Sequence, residues 1–222
     1  MANILQSLGD AIERQQQRKH ENNMEVLRAI YTRPGMIVLG VILLGAALAL
    51  SGFPLSAVEK PQPNHIYSDF MNELRKGVGQ EIFSRGTSEI LGCARAMKKK
   101  RMLGLIADQD GGYDGIFVPF LGKMASTPTG PAYFSRKFNA PIVPIFIVRK
   151  EGNYGHLAIV KDPIYYEDTG DRKADDYNVT LKMTQIVEEV IKEYPDNWLW
   201  FQHRWNTPYT PPEEKELKQG EK

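Results

Sequence analysis

The side chains best placed for chemistry are two carboxylates, Asp108 and Asp110, in the segment Leu105-Ile106-Ala107-Asp108-Gln109-Asp110-Gly111-Gly112-Tyr113-Asp114-Gly115. An apolar run ends at Asp108. In α/β proteins the carboxyl ends of strands line the ligand crevice, so acids and glycines there suit a site. Asp and Gly also favour turns for local reasons, and a plain turn is the other reading. A calcium loop does not fit. Counted from Asp108, the third oxygen position falls on Gly112 and the twelfth, normally Glu, on Pro119.

A second segment is Ala125-Ser126-Thr127-Pro128-Thr129-Gly130-Pro131-Ala132. Hydroxyls and free backbone N–H groups at a helix start make an anion site. An ordinary N-cap with Pro in the first turn has the same residues. A third is Trp198-Leu199-Trp200-Phe201-Gln202-His203-Arg204-Trp205, with all three Trp of the chain in eight residues. Such a cluster lies at a membrane surface or closes a core. His203 with Arg204 reads as a phosphate or carboxylate contact, or as a partly buried structural pair. The basic run Lys98-Lys99-Lys100-Arg101 is either a contact for anionic lipid or a solvated helix end.

General acid–base chemistry near neutral pH favours histidine, and the chain has four: His20, His65, His156 and His203. The single Cys93 excludes an intramolecular disulfide framework and a CxxC site, and fits a reducing cytosol. Lys and Arg total 28 and Asp and Glu 27, so the net charge of +1 gives no reason to expect nucleic acid as partner.

These residues need elements to hold them. Helix-like spacing of Ile4, Leu5, Leu8 and Ile12, then Met24, Leu27 and Ile30, predicts a polar helical segment over 1–34. No secretory signal begins the sequence, because the apolar stretch comes too late. Gly35 to Leu50 has no polar side chain. It reads either as a strand (Met36–Leu39) followed by a helix (Leu43–Leu50), or as one membrane-inserted helix of borderline length. Helices are expected over Tyr67–Arg75, from Thr87-Ser88-Glu89 to Lys98, over Ala132–Phe138 and over Asp175–Tyr194. Strands are expected over Met102–Ala107, Gly115–Phe120 and Pro141–Val148, with Leu157–Val160 returning after a loop at Glu151–Gly155. Alternating strands and helices predict an α/β domain over 35–206, with a central, mostly buried mixed sheet flanked by helices. A charged, disordered tail is expected over 207–222.

Five strings in order resemble the bacterial lipid A biosynthesis acyltransferases, of lauroyl- and myristoyl-transferase type, within the lysophospholipid acyltransferase-like superfamily. They are Gly104–Asp110, Gly115–Gly122, Thr127–Ala132, Ala140–Phe146, and Trp198-Leu199-Trp200 with His203-Arg204-Trp205. The resemblance covers about residues 45 to 206 and implies a glycerolipid acyltransferase-like fold. It also implies a membrane-associated enzyme at the cytoplasmic face of the bacterial inner membrane. Such an enzyme moves a fatty acyl group from acyl carrier protein or coenzyme A to a hydroxyl of a lipid A precursor or lysolipid. It implies no metal and no cofactor.

By match, the substrate-binding residues are Asp108, Gln109, Asp110, Phe117, Pro119, Phe120, Gly122, Thr127, Thr129 and Gly130. Arg75 and Arg85 match loosely as head-group or acyl-carrier contacts. The family's base is the histidine of an HxxxxD or HxxxxE block just after the first apolar strand. Here that place is Leu39-Gly40-Val41-Ile42-Leu43-Leu44, with no His, acid or amide, and no histidine occurs from Glu21 to Asn64. His20 with Glu25 forms an HxxxxE elsewhere, which reads either as a substitute catalytic pair or as a chance match in a polar surface segment. His65 has Asp69 four residues on, one short of the motif. Two functions follow: an acyltransferase working through a substitute base, or an inactive relative that binds lipid or acyl donor.

Overall fold

The computed structural model describes residues 33–59, 65–84, 89–150 and 155–211. His20, Glu25 and Arg85, the expected N-terminal helices, the Thr87-Ser88 helix start and most of the loop at Glu151 lie outside them. The chain forms two compact units, Met1–Cys93 and Ala94–Lys222.

In the first unit, helix α1 spans Arg33–Leu50, followed by strand β1 (Leu55–Glu59), helix α2 (His65–Gly77) and strand β2 (Glu81–Ser84). The apolar run is therefore one helix, not a strand and a helix. No turn residue interrupts it between Leu39 and Leu43, and a lone glycine such as Gly40 does not break a helix. At 1.5 Å per residue α1 rises about 27 Å, short of a hydrocarbon core of about 30 Å, and it opens on Arg and Pro. Among the described residues no helix is long and apolar enough to cross a membrane. A left-handed Gly52 (φ +89°) stops α1, where Gly52 N donates to Ala49 O and Phe53 N to Leu48 O. β1 and β2 run parallel with Ala57 opposite Ile82. Helix α3 (Glu89–Lys98) begins in this unit and ends in the next. Its Cys93 and Ala96 are buried. Gly92 lies where a Cβ would come within 2.7 Å of the Phe83 ring.

The second unit adds β3 (Met102–Gly104), β4 (Ile116–Phe120), β5 (Lys123–Thr127), helix α4 (Gly130–Phe138), β6 (Ile145–Arg149), β7 (His156–Val160) and helix α5 (Arg172–Glu193). A short 3-10 turn, Pro195–Asn197, follows α5. β4 with β5 and β6 with β7 are antiparallel hairpins, so the mixed α/β character stands while the pairing within the units is in short ladders. One core cluster joins Phe120, Ala125, Ile191 and Trp198; another joins Ala132, Ile164, Val179 and Met183. Helix α5 supplies both, because Val179, Met183, Val190 and Ile191 recur on its buried face.

The start of α5 is built from acids. Asp171 caps it by accepting from the amides of Lys173 and Ala174. Buried Asp175 accepts from Thr169 N at 3.0 Å and Thr169 Oγ1 at 2.7 Å. Replacing Asp175 by Ala strands both donors and costs about 2 kcal/mol of stability, measurable as a lower denaturant midpoint with unchanged slope.

Candidate functional site

The loop between β3 and β4 is the segment with the two carboxylates. It can lie flat on the end of β5 only because of its glycines. A Cβ on Gly111 would sit 2.6 Å from the Thr127 carbonyl carbon, and one on Gly115 would sit 2.1 Å from Ser126 Oγ. Gly112 takes a positive φ of 71°. Two hydrogen bonds fasten the loop: Gly111 N to Ser126 O at 3.0 Å, and Ser126 Oγ to Gly112 O at 2.6 Å.

Both carboxylates face the C-terminal segment. Asp108 Oδ2 accepts from Trp198 Nε1 at 2.9 Å and Gln202 Nε2 at 3.3 Å. Asp110 Oδ2 accepts from Thr207 Oγ1 at 2.7 Å and from Gly112 N at 3.2 Å, while its Oδ1 takes Thr207 N at 3.3 Å. Between these segments lies Arg204, 1 % exposed. Its Nη2 donates to Thr127 Oγ1 at 2.7 Å and its Nη1 to Ser126 O. Its guanidinium carbon stands 4.9 Å from the centre of the Phe120 ring. Burial pushes the Arg204 pKa down from its ordinary value, and the charges of Asp108 and Asp110 oppose that shift.

The structure thus brings Asp108, Asp110, Phe120 and Thr127 together around Arg204. Thr127 is fully buried and its hydroxyl accepts from Arg204, so in this arrangement it holds the arginine rather than an outside anion. Thr129 occupies the N-cap of α4 without a side-chain cap bond and is exposed. Gln109 is exposed at the loop tip. Phe117 packs on Tyr209 at 5.3 Å, and Thr207 is buried, so ordered structure continues past Trp205 into residues expected to be tail.

Pro119 and Gly122 line a separate cleft with Leu181, Gln185, Glu188, Glu189 and Lys192. There Leu121 (φ +49°) and Gly122 (φ +79°) form the hairpin turn, and Leu121 N donates to Glu188 Oε2 at 2.9 Å. Arg75 belongs to the first unit, in the last turn of α2, and donates to Asn72 Oδ1. His65 is the exposed first residue of α2.

Cys93 is buried, and burial with the Glu89 charge pushes its thiol pKa up, away from a reactive thiolate. Among the described residues no three of His, Cys, Asp and Glu gather as a metal site. The partners that the sequence did not mark are Ser126, Gln202 and Thr207. Their signal was faint: hydroxyls at the end of an apolar strand, and polar residues spaced through an aromatic segment.

Residues 41–207 match the family described as bacterial lipid A biosynthesis acyltransferase. The chain is similar to the lipid A biosynthesis palmitoleoyltransferase of Escherichia coli K12, 25 % identical over 81 % of this chain and 58 % of that protein. It is similar to the lipid A biosynthesis lauroyltransferase of the same organism, 26 % identical over 83 % and 60 %. The phosphatidylinositol mannoside acyltransferase of Mycolicibacterium smegmatis is 23 % identical over 68 % and 48 %. These relatives are lipid acyltransferases by name. The chain belongs to the bacterial lipid A biosynthesis acyltransferase family. It spans about three-fifths of the length of the Escherichia coli relatives.

Two predictions follow from this geometry. Arg204→Met removes the cation that ties Ser126, Thr127 and the acidic loop together, and lowers stability by about 3 kcal/mol in chemical denaturation. Arg204→Lys recovers only part of it, because an ammonium lacks the planar fork. The second concerns Glu188, whose bond from Lys192 at 2.6 Å and bond from Leu121 N hold its carboxyl below its usual pKa. A depressed folded pKa contributes stability that is present above the unfolded value and lost as pH falls through the folded one. The stability gap between wild type and Glu188→Gln is therefore full at pH 6 and shrinks below about pH 4.5, read from denaturation at each pH.

Proposed function

We propose that this chain is a lipid acyltransferase. It moves a fatty acyl group from acyl carrier protein or coenzyme A to a hydroxyl of a lipid A precursor or lysolipid. The reaction takes place at the cytoplasmic face of the bacterial inner membrane. In this reading the short ladders belong to one central sheet flanked by helices. The observation that carries it is the family match over residues 41–207, which takes in the acidic loop, the hairpin, α4 and the aromatic segment.

The chemistry needs a base to take the acceptor hydroxyl proton while the oxygen attacks the thioester carbonyl and the thiol leaves. Asp108 and Asp110 are poor bases for it, since their oxygens already accept from Trp198, Gln202, Gly112 and Thr207. The reading therefore assigns the base to His20, with Glu25 fixing its tautomer. Gln109, Phe117, Pro119, Gly122, Thr129 and Gly130, with Arg75 and Arg85, are its substrate contacts. Asp108, Asp110, Phe120 and Thr127 serve it by holding the loop.

One observation favours a second reading, a relative that binds lipid or acyl donor without turnover. Leu39–Leu44, where the family's catalytic block is expected, is continuous helix with no proton acceptor among its side chains.

An acyl-transfer assay with the full chain decides between them. Labelled acyl carrier protein and acyl coenzyme A serve as donors, and a lipid A precursor and a lysolipid as acceptors. The first reading expects transfer that falls at least about 100-fold in His20→Ala and persists in His65→Ala. Transfer that survives both changes removes both histidines as the base. Wild-type protein that binds donor and shows no transfer establishes the second reading.

A further inference from the structure

The turn from Trp198 to Gln202 is held at both ends by one carboxylate oxygen. Trp198 Nε1 and Gln202 Nε2 both donate to Asp108 Oδ2, at 2.9 and 3.3 Å. Between these anchors the chain turns outward. Trp198 is 8 % exposed and lies in the core, whereas Trp200 is 52 % and Phe201 80 % exposed. Two successive residues with large apolar rings are therefore exposed on a clamped turn, the Trp200 ring meeting Trp198 edge-on at 4.6 Å.

Three donors of that turn are already satisfied within it. Trp200 Nε1 donates to Pro195 O at 2.7 Å. Its backbone N–H donates to Trp198 O at 3.0 Å, and that of Gln202 to Leu199 O at 3.2 Å. These three donors are not stranded when the tip enters an apolar medium, and an interfacial depth leaves the Phe201 amide to headgroups and water. Exposed charges near the tip are of both signs. Arg149, whose backbone N–H donates to Asn197 Oδ1, and Lys150 stand against Glu193 and Asp196. Such a mixture gives no net attraction to an anionic surface and leaves the rings as the contact. A protein partner would be expected to meet directional polar groups around the rings, and the Trp200 indole N–H is already spent on Pro195.

We infer that Trp200 and Phe201 form an interfacial anchor that enters the boundary of a lipid bilayer. The Asp108 carboxylate pre-forms it and so fixes the acidic loop at the lipid surface. The choice of a bilayer rests on the lipid substrate proposed above. It deepens that reading by naming the surface through which the second unit meets its lipid.

The test is partition of the full chain onto vesicles of phosphatidylcholine alone, and of phosphatidylcholine with phosphatidylglycerol at 3:1. Binding is followed by sedimentation and by quenching with brominated acyl chains. Wild type binds both compositions, with little change between low and high salt. Trp200→Ala/Phe201→Ser binds at least tenfold more weakly while keeping a cooperative thermal transition, and Phe201→Ser alone, at the more exposed ring, weakens binding with little change in midpoint. Trp200→Phe loses most of the bromine quenching while Trp198 and Trp205 still fluoresce. Asp108→Ala loosens the turn and also weakens partition.

Equal binding by the double variant overturns the inference, as does a wild type that binds neither vesicle. Binding to the anionic vesicles alone that collapses with salt overturns it in favour of a charged contact. A concentration-dependent dimer that the double variant abolishes, without vesicle binding, overturns it in favour of a second copy of the chain. A protein that shows no acyl transfer but partitions as described leaves the anchor standing and sinks only the transfer reading.

Discussion

A buried guanidinium is the constraint on which the second unit depends. Taking an arginine out of water is costly, and the charge persists because arginine does not neutralise at physiological pH. Arg204 is therefore tolerable only where the fold surrounds it with acceptors. It has the Ser126 carbonyl, the Thr127 hydroxyl, the Phe120 ring face and the field of Asp108 and Asp110. These lie on the β4–β5 hairpin and on the loop before it, and Arg204 itself lies after α5. Pairing Nη1 and Nη2 of one cation thus fixes segments some eighty residues apart in sequence, while its buried Nε has no partner among the described residues. The glycines follow from the same demand, since a side chain at 111 or 115 would hold the loop off the strand that carries the acceptors.

Much of the fold was legible because it follows period and punctuation. The apolar positions of α5 recur at helical spacing, and β6 and β7 are β-branched runs separated by a Gly-containing loop; both form where expected. β5 was missed because Lys123-Met124-Ala125-Ser126-Thr127 is short and ends in hydroxyls. It reads as the approach to a helix until the hairpin turn at Leu121-Gly122 is seen. The α1 run was misread in part because short apolar stretches look alike as strand or helix. Only tertiary packing separates them.

The site was legible in composition but not in role. Asp108, Asp110 and Thr127 meet Trp198, Gln202, Thr207 and Arg204 rather than open solvent. Nothing local in the sequence could give those partners, because each contact spans more than seventy residues. The aromatic segment shows the same limit. Core closure and surface exposure were alternatives for the whole cluster, but the turn divides them, sending Trp198 inward and Trp200 and Phe201 outward.

In the first unit, Leu39–Leu44 carries no side-chain proton acceptor. The helix that contains this stretch packs imperfectly at one spot. Gln80 is buried, its Nε2 has no partner among the described residues, and a Cβ on Gly45 would lie 2.9 Å from it. A buried amide without a partner costs about 1–3 kcal/mol, so a segment selected as plain helix would pair it or replace it with an apolar side chain. Gly45 directly follows Leu39–Leu44, where the base was expected. The unpaired amide and the missing proton acceptor thus fall at one place in the chain.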